Sequence, residues 1–440
     1  MKPTRKQIWT IAYPILISLL MENMIGLTDT AFLGRVGEVE LGASALGSVY
    51  YLVIFMLGFG FGIGAQILIA RRNGEKAYAL IGPLFQQGLL FLLSLATVMF
   101  VISHTFTPMV LRSLISSDEV YEAAVSYTNW RVFGFFFAFV AIMFRAFFVG
   151  ITNTKTLTLN SIVMVLSNVV LNYVLVFGKL GLPAMGIAGA AIASSASEMI
   201  SMVFFIVYTR LRIDHRKYGL FRFAGFSSKL LRGMLNVSVW TMIQMFVAIS
   251  TWFFFFIAVE HLGERPLAVT NIIRSVSGIV FVIVSSFAST ASTLVSNQMG
   301  AGQPELVAGT TRRIVGMCYL IVIPLLALFA VFPELILRIY TDEQSLIDGS
   351  VASLRVLPDQ RAGLHPLQRR LGNRQHPLGP DAGTRDAERI RDLHGMDRAL
   401  PALGRRAVLD HRTRLRAGTA AVGKPLPEKG PLARPENIKR

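Results

Sequence analysis

The sequence predicts an all-α polytopic membrane protein: two six-helix bundles related by an internal repeat, the second bundle incomplete. Three observations predict this. Of the 440 residues, 53% are hydrophobic and only 16% charged, whereas soluble domains carry about 25% charged residues. The apolar residues come in long blocks, and nine of these reach the roughly 20 residues needed to cross a bilayer. The chain also repeats landmarks at a fixed shift of 226 residues.

The nine blocks lie near 8–33, 41–70, 78–102, 123–149, 157–177, 184–209, 234–259, 267–297 and 314–331. Each is expected to be helical, because lipid offers no hydrogen-bond partner to an open backbone. The first begins behind a basic start, Met1–Lys6, and contains Glu22 and Asp29. It runs too long for a cleavable signal and reads as a span that is retained. The alternating Gly58, Gly60, Gly62 and Gly64 of the second block suit close helix packing. No strand–loop–helix setting makes them a nucleotide loop.

Connections give the orientation. With the N-terminus inside, the cytoplasmic segments hold 16 Lys/Arg, and the outer ones hold only Arg35, Arg112, Lys179, Arg265 and Arg338. That asymmetry places the N-terminus and the basic 210–233 linker in the cytoplasm. The expected organisation is a bundle over 1–209, the linker, the start of a second bundle over 234–357, and a non-membrane tail over 358–440.

The repeat supports two bundles. Gly37-Glu38-x-x-Leu41 falls on Gly263-Glu264-x-x-Leu267. Leu68, Gly74 and Leu80 fall on Leu294, Gly300 and Leu306, and Phe106, Leu111 and Arg112 on Leu337's neighbourhood: Phe332, Leu337 and Arg338. Transporters built this way run their substrate path between the halves. The counterpart of 132–214 should be 358–440, yet that tail has no aromatic residue although the chain has 46. It holds half of the 18 prolines and a net charge of +9. The expected tenth span starts near Leu346 and is lost at Leu357–Pro358. An abrupt change inside a helix, into Arg-, Pro- and Gly-rich sequence, is what a reading-frame shift in GC-rich DNA produces; a disordered basic tail is the competing reading.

The net charge of +17 does not imply nucleic acid, because the basic tail lacks the aromatics that stack on bases. Cys318 is the single cysteine, so an intrachain disulfide or a multi-Cys metal site is excluded; it reads as a small buried hydrophobe. No H-E-x-x-H and no G-x4-G-K-[ST] occurs, which argues against a metalloprotease-like membrane enzyme and an ATP-driven pump.

Asp29 and Glu22 are the sharpest functional candidates. A charge inside an apolar helix costs at least about 2.5–3.5 kcal/mol. Seven residues apart, the two fall on nearly one helical face. Paired carboxylates are suited to bind Na⁺ through oxygen, with Asp29 its ligand, or to share protons; simple hydration near an interface is the alternative. Asn168 and Asn172 lie one turn apart and can offer carbonyl oxygens to an ion or hydrogen bonds to the acids, or stitch helices together. Gln66, Gln244 and Arg274 are polar positions inside spans that can line a substrate cavity, with packing or pairing as the alternative. Arg145, near a cytoplasmic end, is expected to snorkel.

In order along the chain stand Pro14, Asp29-Thr30-x3-Gly34-x-x-Gly37, Gln66 with Arg71-Arg72-Asn73-Gly74-Glu75, Arg145-x4-Gly150-x-x-Asn153-Thr154-Lys155, Asn168-x3-Asn172 and Gly186-x-x-Gly189-Ala190-Ala191. Over residues 8–357 this series resembles the MATE (multidrug and toxic compound extrusion) family. Three departures stand out: Asn172 sits where that family often has Asp; Ala248 occupies the repeat-equivalent of Glu22 in the seventh span, where one branch carries Glu; and the acidic and tyrosine residues that branch uses in the tenth span are missing. The resemblance implies a monomeric, multi-pass protein of the bacterial inner membrane, without a cofactor. It would export amphipathic, cationic small molecules against inward Na⁺ or H⁺, Asp29 being the coupling residue assisted by Glu22, Asn168 and Asn172. A lipid-linked saccharide flippase of the same superfamily is the alternative, and it would call for a deep cationic cavity.

Overall fold

A computed structural model describes residues 3–115, 117–222, 225–260, 264–338 and 350–351. The architecture is all-helical, with no strand among the described residues. In chain order come α1 (Arg5–Leu33), α2 (Glu38–Gly74), α3 (Ile81–Leu114), α4 (Asp118–Arg131), α5 (Gly134–Gly150), α6 (Lys155–Phe177) and α7 (Gly186–Arg212). After the linker follow α8 (Ser228–Glu260), α9 (Glu264–Gly300), α10 (Val307–Val331) and the short α11 (Pro333–Leu337). Apart from 350–351, the expected tenth span and all of 358–440 lie outside the described residues.

Each expected apolar block but one forms a single helix, and the short α11 lies beyond the last block. The exception is the fourth, expected as one span over 123–149 but divided into α4 and α5 with a bend of 46°. No proline causes it. The bend sits where the Arg131 side chain packs against Gly134, and a Cβ there would run into both Arg131 and Glu198 of α7. The freed carbonyls of Trp130 and Arg131 accept from Ser195 Oγ of α7 at 3.2 and 3.3 Å. Such replacement partners are what allow a helix to break at membrane depth.

The repeat appears in the helix bounds themselves. Shifted by 226, Glu38–Gly74 becomes Glu264–Gly300, so α2 and α9 coincide end to end. The single-turn 3₁₀ segments Tyr78–Leu80 and Pro304–Leu306 coincide too, as do the starts of α3 and α10. The halves part company at Phe332. Pro333 forces the preceding residue out of the helical region, so α10 ends at Val331, while α3 continues through the equivalent positions.

Packing is tightest around α2. Gly58 and Gly62 face α5, where Phe139 and Ile142 occupy the space of their missing side chains. Gly60 and Gly64, on another face, bring the α8 backbone close, and a Cβ on Gly60 would lie 2.6 Å from Met242 Cα. Buried aromatics Phe61, Phe85, Phe135, Phe144, Phe147 and Phe148 fill the core between α2, α3 and α5. A second cluster joins α1, through Ile8 and Ala12, to Val280 and Phe287 of α9 and Leu326 of α10.

The basic linker docks on the start of α3. Gln87 Nε2 donates to the Gly225 carbonyl at 2.7 Å, and its Oε1 accepts from Ser227 N at 3.2 Å. Lys217 Nζ stands 4.0 Å from the Tyr78 ring centre, and Tyr218 meets Tyr78 edge-on.

Candidate functional site

Asp29 lies four residues before the end of α1, facing α6 and α7. The i, i+4 spacing of Asn168 and Asn172 puts both amides on one stripe of α6, and both are fully buried. Asn172 Nδ2 donates to Asp29 Oδ1 at 2.7 Å, and Asn168 Nδ2 to the same oxygen at 3.2 Å. Ser194 Oγ of α7 donates to Asp29 Oδ2 at 2.6 Å. Asn172 also donates to Asn168 Oδ1 at 3.1 Å. Every direct donor to this carboxylate is neutral.

One atom of the cluster is left over. Asn172 Oδ1 is buried without a hydrogen-bond partner. Buried polar atoms are normally satisfied, so an orphaned carbonyl oxygen beside a carboxylate and a hydroxyl is a place for a hard cation to fit. These are the oxygen types that such ions take. Small residues on α7 allow the approach: Gly189 sits against the Leu175 carbonyl of α6, and Ala190, Ala191 and Ala193 are fully buried.

Glu22 is not part of this cluster. It lies two turns nearer the start of α1, roughly 10 Å along the axis, where Arg145 of α5 forms an ion pair with it. Ser18 Oγ donates to Glu22 at 3.1 Å and lies 2.7 Å from Ser161 Oγ. The expected carboxylate pair is thus two separate sites, because helical rise separates what shares a face. Arg145 does not snorkel; it spans to α1.

The substrate-cavity candidates fall in different places. Gln66 is buried, and its Nε2 donates to Thr293 Oγ1 at 2.8 Å and Ser289 Oγ at 3.2 Å, binding α2 to α9. Gln244 of α8 and Arg274 of α9 are exposed. Further along α8, Thr251, Trp252 and Phe255 line an apolar recess of about 270 Å³.

A second charged cluster joins α4 to α7. Arg131 of α4 grips Glu198 of α7 with both arms of its fork, NH2 to Oε1 at 2.6 Å and NH1 to Oε2 at 3.0 Å. Tyr51 OH of α2 lies 2.9 Å from Glu198 Oε2, and the guanidinium carbon stands 3.5 Å from the Tyr51 ring centre. The Arg131 and Glu198 side chains are 11% and 15% exposed, so this is a buried pair. Its signal was in the sequence: both charges lie inside apolar blocks, the same property that marks Asp29.

Comparison with known proteins fixes the family. The MatE family profile matches residues 14–174 and 241–357. The chain belongs to the MatE family. The second match ends at the residue where the composition changes.

Among relatives of this MatE chain, a probable multidrug resistance protein NorM of Pasteurella multocida (strain Pm70) is 23% identical over 350 residues, covering 79% of this chain and 75% of that one. A probable multidrug resistance protein YoeA of Bacillus subtilis (strain 168) is 25% identical over 354 residues, covering 79% and 76%. The fold is shared with an outward-facing multidrug resistance MATE family transporter of the MOP superfamily, at a TM-score of 0.71, 21% identity and coverage of 80% and 78%. It is shared also with a MOP superfamily transporter from Pyrococcus furiosus, at a TM-score of 0.71, 20% identity and coverage of 80% and 77%. The protein is a multi-pass, helical membrane protein of this family.

Proposed function

We propose that this MatE chain is an ion-coupled antiporter that exports amphipathic, cationic small molecules across the bacterial inner membrane, in exchange for inward Na⁺ or H⁺. The observation that carries the reading is the Asp29 cluster: a carboxylate between three helices, held only by neutral donors, with an orphaned amide oxygen beside it. A half-buried charge so arranged has no cation bonded to it, and a mobile ion supplies one. Relatives named as probable multidrug resistance proteins support drug export.

Coupling then needs only differential affinity. If the cation favours one facing state and the drug the other, binding of each displaces its rival and exchange results. Asp29 is the cation ligand, with Asn168, Asn172 and Ser194 orienting it. Glu22 acts at a distance, tying α1 to α5 through Arg145. The N-terminus and the 210–233 linker are cytoplasmic in this reading.

The test is efflux of a fluorescent cationic dye from proteoliposomes carrying the full chain, under imposed inward gradients of Na⁺ and, separately, of protons. One gradient should drive dye uphill, and an ionophore that collapses it should stop transport. Movement of a lipid-linked saccharide, with no gradient-driven dye efflux, would overturn the reading in favour of a flippase.

A further inference from the structure

The second charged cluster stands next to the first. Ser194, which donates to Asp29, and Glu198, which holds Arg131, are one turn apart on α7. That spacing puts their Cβ atoms about 6 Å apart. Arg131 is within electrostatic reach of Asp29, yet both arms of its fork are spent on Glu198 and its face is stacked on Tyr51. The groups that face the two clusters are Asp29 on α1, Tyr51 on α2, Tyr127 and Arg131 on α4, Asn168 and Asn172 on α6, and Ser194 and Glu198 on α7.

With both carboxylates ionised, Asp29 and Glu198 against the Arg131 guanidinium leave the assembly one more negative than positive charge. With Arg131 alone beside it, Asp29 would be neutralised from within and would have no use for a cation. With Glu198 alone, two uncompensated carboxylates would face lipid-like surroundings, where each is costly. The pair avoids both outcomes.

We propose that the Arg131–Glu198 pair sets the charge balance of the Asp29 cation site: its two charges cancel, leaving the site the single negative charge of Asp29, and so fix how tightly it takes one monovalent cation. This rests on the reading of Asp29 as that site. Both are positioning residues in the sense that neither touches the ion; they act through the field. The pair also props the α4–α5 bend, and a purely mechanical role must be told apart from this one.

The experiment is cation binding to the purified full chain in detergent, with radioactive ²²Na⁺ at fixed pH and, in a parallel arm, proton uptake from weakly buffered solution. Arg131→Gln removes a positive charge and should lower the half-saturating cation concentration by about tenfold or more; Glu198→Gln should raise it by a similar factor. The double variant restores the balance and should return to within about threefold of the unaltered chain. A mechanical prop predicts shifts of the single variants in one direction, and that result, or no shift, would overturn the proposal. Should the glutamine variants fail to fold, Arg131→Lys keeps the charge but loses the fork. It should bind within about threefold of the unaltered chain, and a tenfold shift would refute a field effect. Asp29→Asn separates the two readings. Unchanged binding in that variant overturns the Asp29 site itself and this proposal with it. Lost binding there, beside unmoved Arg131 and Glu198 variants, overturns the charge-balance role of the pair alone.

Discussion

Gly74 and Gly300, 226 residues apart, make the same contact with one another's helix. Gly74 at the end of α2 lies against the backbone of Asn297, and Gly300 at the end of α9 lies against the backbone of Arg71. Under the repeat shift Asn297 is the counterpart of Arg71, so the two contacts are related by the symmetry of the halves. Asn73 Nδ2 donates to Asn297 Oδ1 at 2.7 Å, and Asn297 Nδ2 reaches the Gly150 carbonyl at 3.1 Å. In the proposed topology this crossing closes the cytoplasmic side of the two bundles.

A side chain at either glycine must therefore displace backbone. Gly74→Val and Gly300→Val should each lower stability by about 1–3 kcal/mol, as overpacking does. Thermal unfolding of the purified protein in detergent checks this. Unchanged unfolding temperature in both variants would mean that the crossing is not close.

The Glu22–Arg145 pair makes a different prediction. Removing one partner strands the other inside the bundle, at a cost of up to 3–5 kcal/mol for a fully buried pair. Glu22 is a third exposed, so solvent screening reduces this to about 1–2 kcal/mol. Glu22→Gln and Arg145→Met should each destabilise by that amount, and the double variant by less than their sum. Additive losses in a double-mutant cycle would show that the two do not interact.

Asn172→Asp would place a second carboxylate beside Asp29. Two acids within hydrogen-bond distance cannot both stay charged without a cation between them. The variant should unfold at lower temperature than the unaltered chain in cation-poor buffer at neutral pH and regain stability as Na⁺ is added. An unfolding temperature indifferent to Na⁺ and to acidification would contradict the cluster as drawn.

Topology can be read with one thiol. In a Cys318→Ser background, Lys217→Cys should resist membrane-impermeant thiol reagents in intact cells and react once the membrane is permeabilised. Rapid labelling of intact cells would invert the orientation.

The break at Leu357 is testable without protein. Translating the gene in its other two frames beyond that codon should give about three further apolar stretches in one frame. Absence of such stretches in a confirmed DNA sequence would make the basic tail the true continuation.

Legibility in the sequence followed the range of each interaction. The spans were readable because bilayer thickness acts on every helix alike; the block at 267–297 lies inside α9, whose bounds follow the 226-residue shift from α2. Asp29, Asn168 and Asn172 could be paired because each is a polar group in an apolar block and the asparagines share a helical stripe. The α4–α5 bend was not readable: Val132-Phe133-Gly134 continues an apolar run, and the bend arises from Arg131 meeting Glu198 on a distant helix. Glu22 shares a helical face with Asp29, but the cation it pairs with sits on α5, which no helical pattern in α1 announces. A glutamine in an apolar block reads equally as cavity lining or packing, and only the fold brings Ser289 and Thr293 against Gln66.

The most direct test of the central claim compares the full chain with Asp29→Asn in proteoliposomes, measuring cationic dye efflux with and without the driving ion gradient. The account predicts that the variant inserts and equilibrates dye downhill but loses uphill, gradient-driven efflux by more than about tenfold. Uphill efflux at the unaltered rate in Asp29→Asn would contradict it.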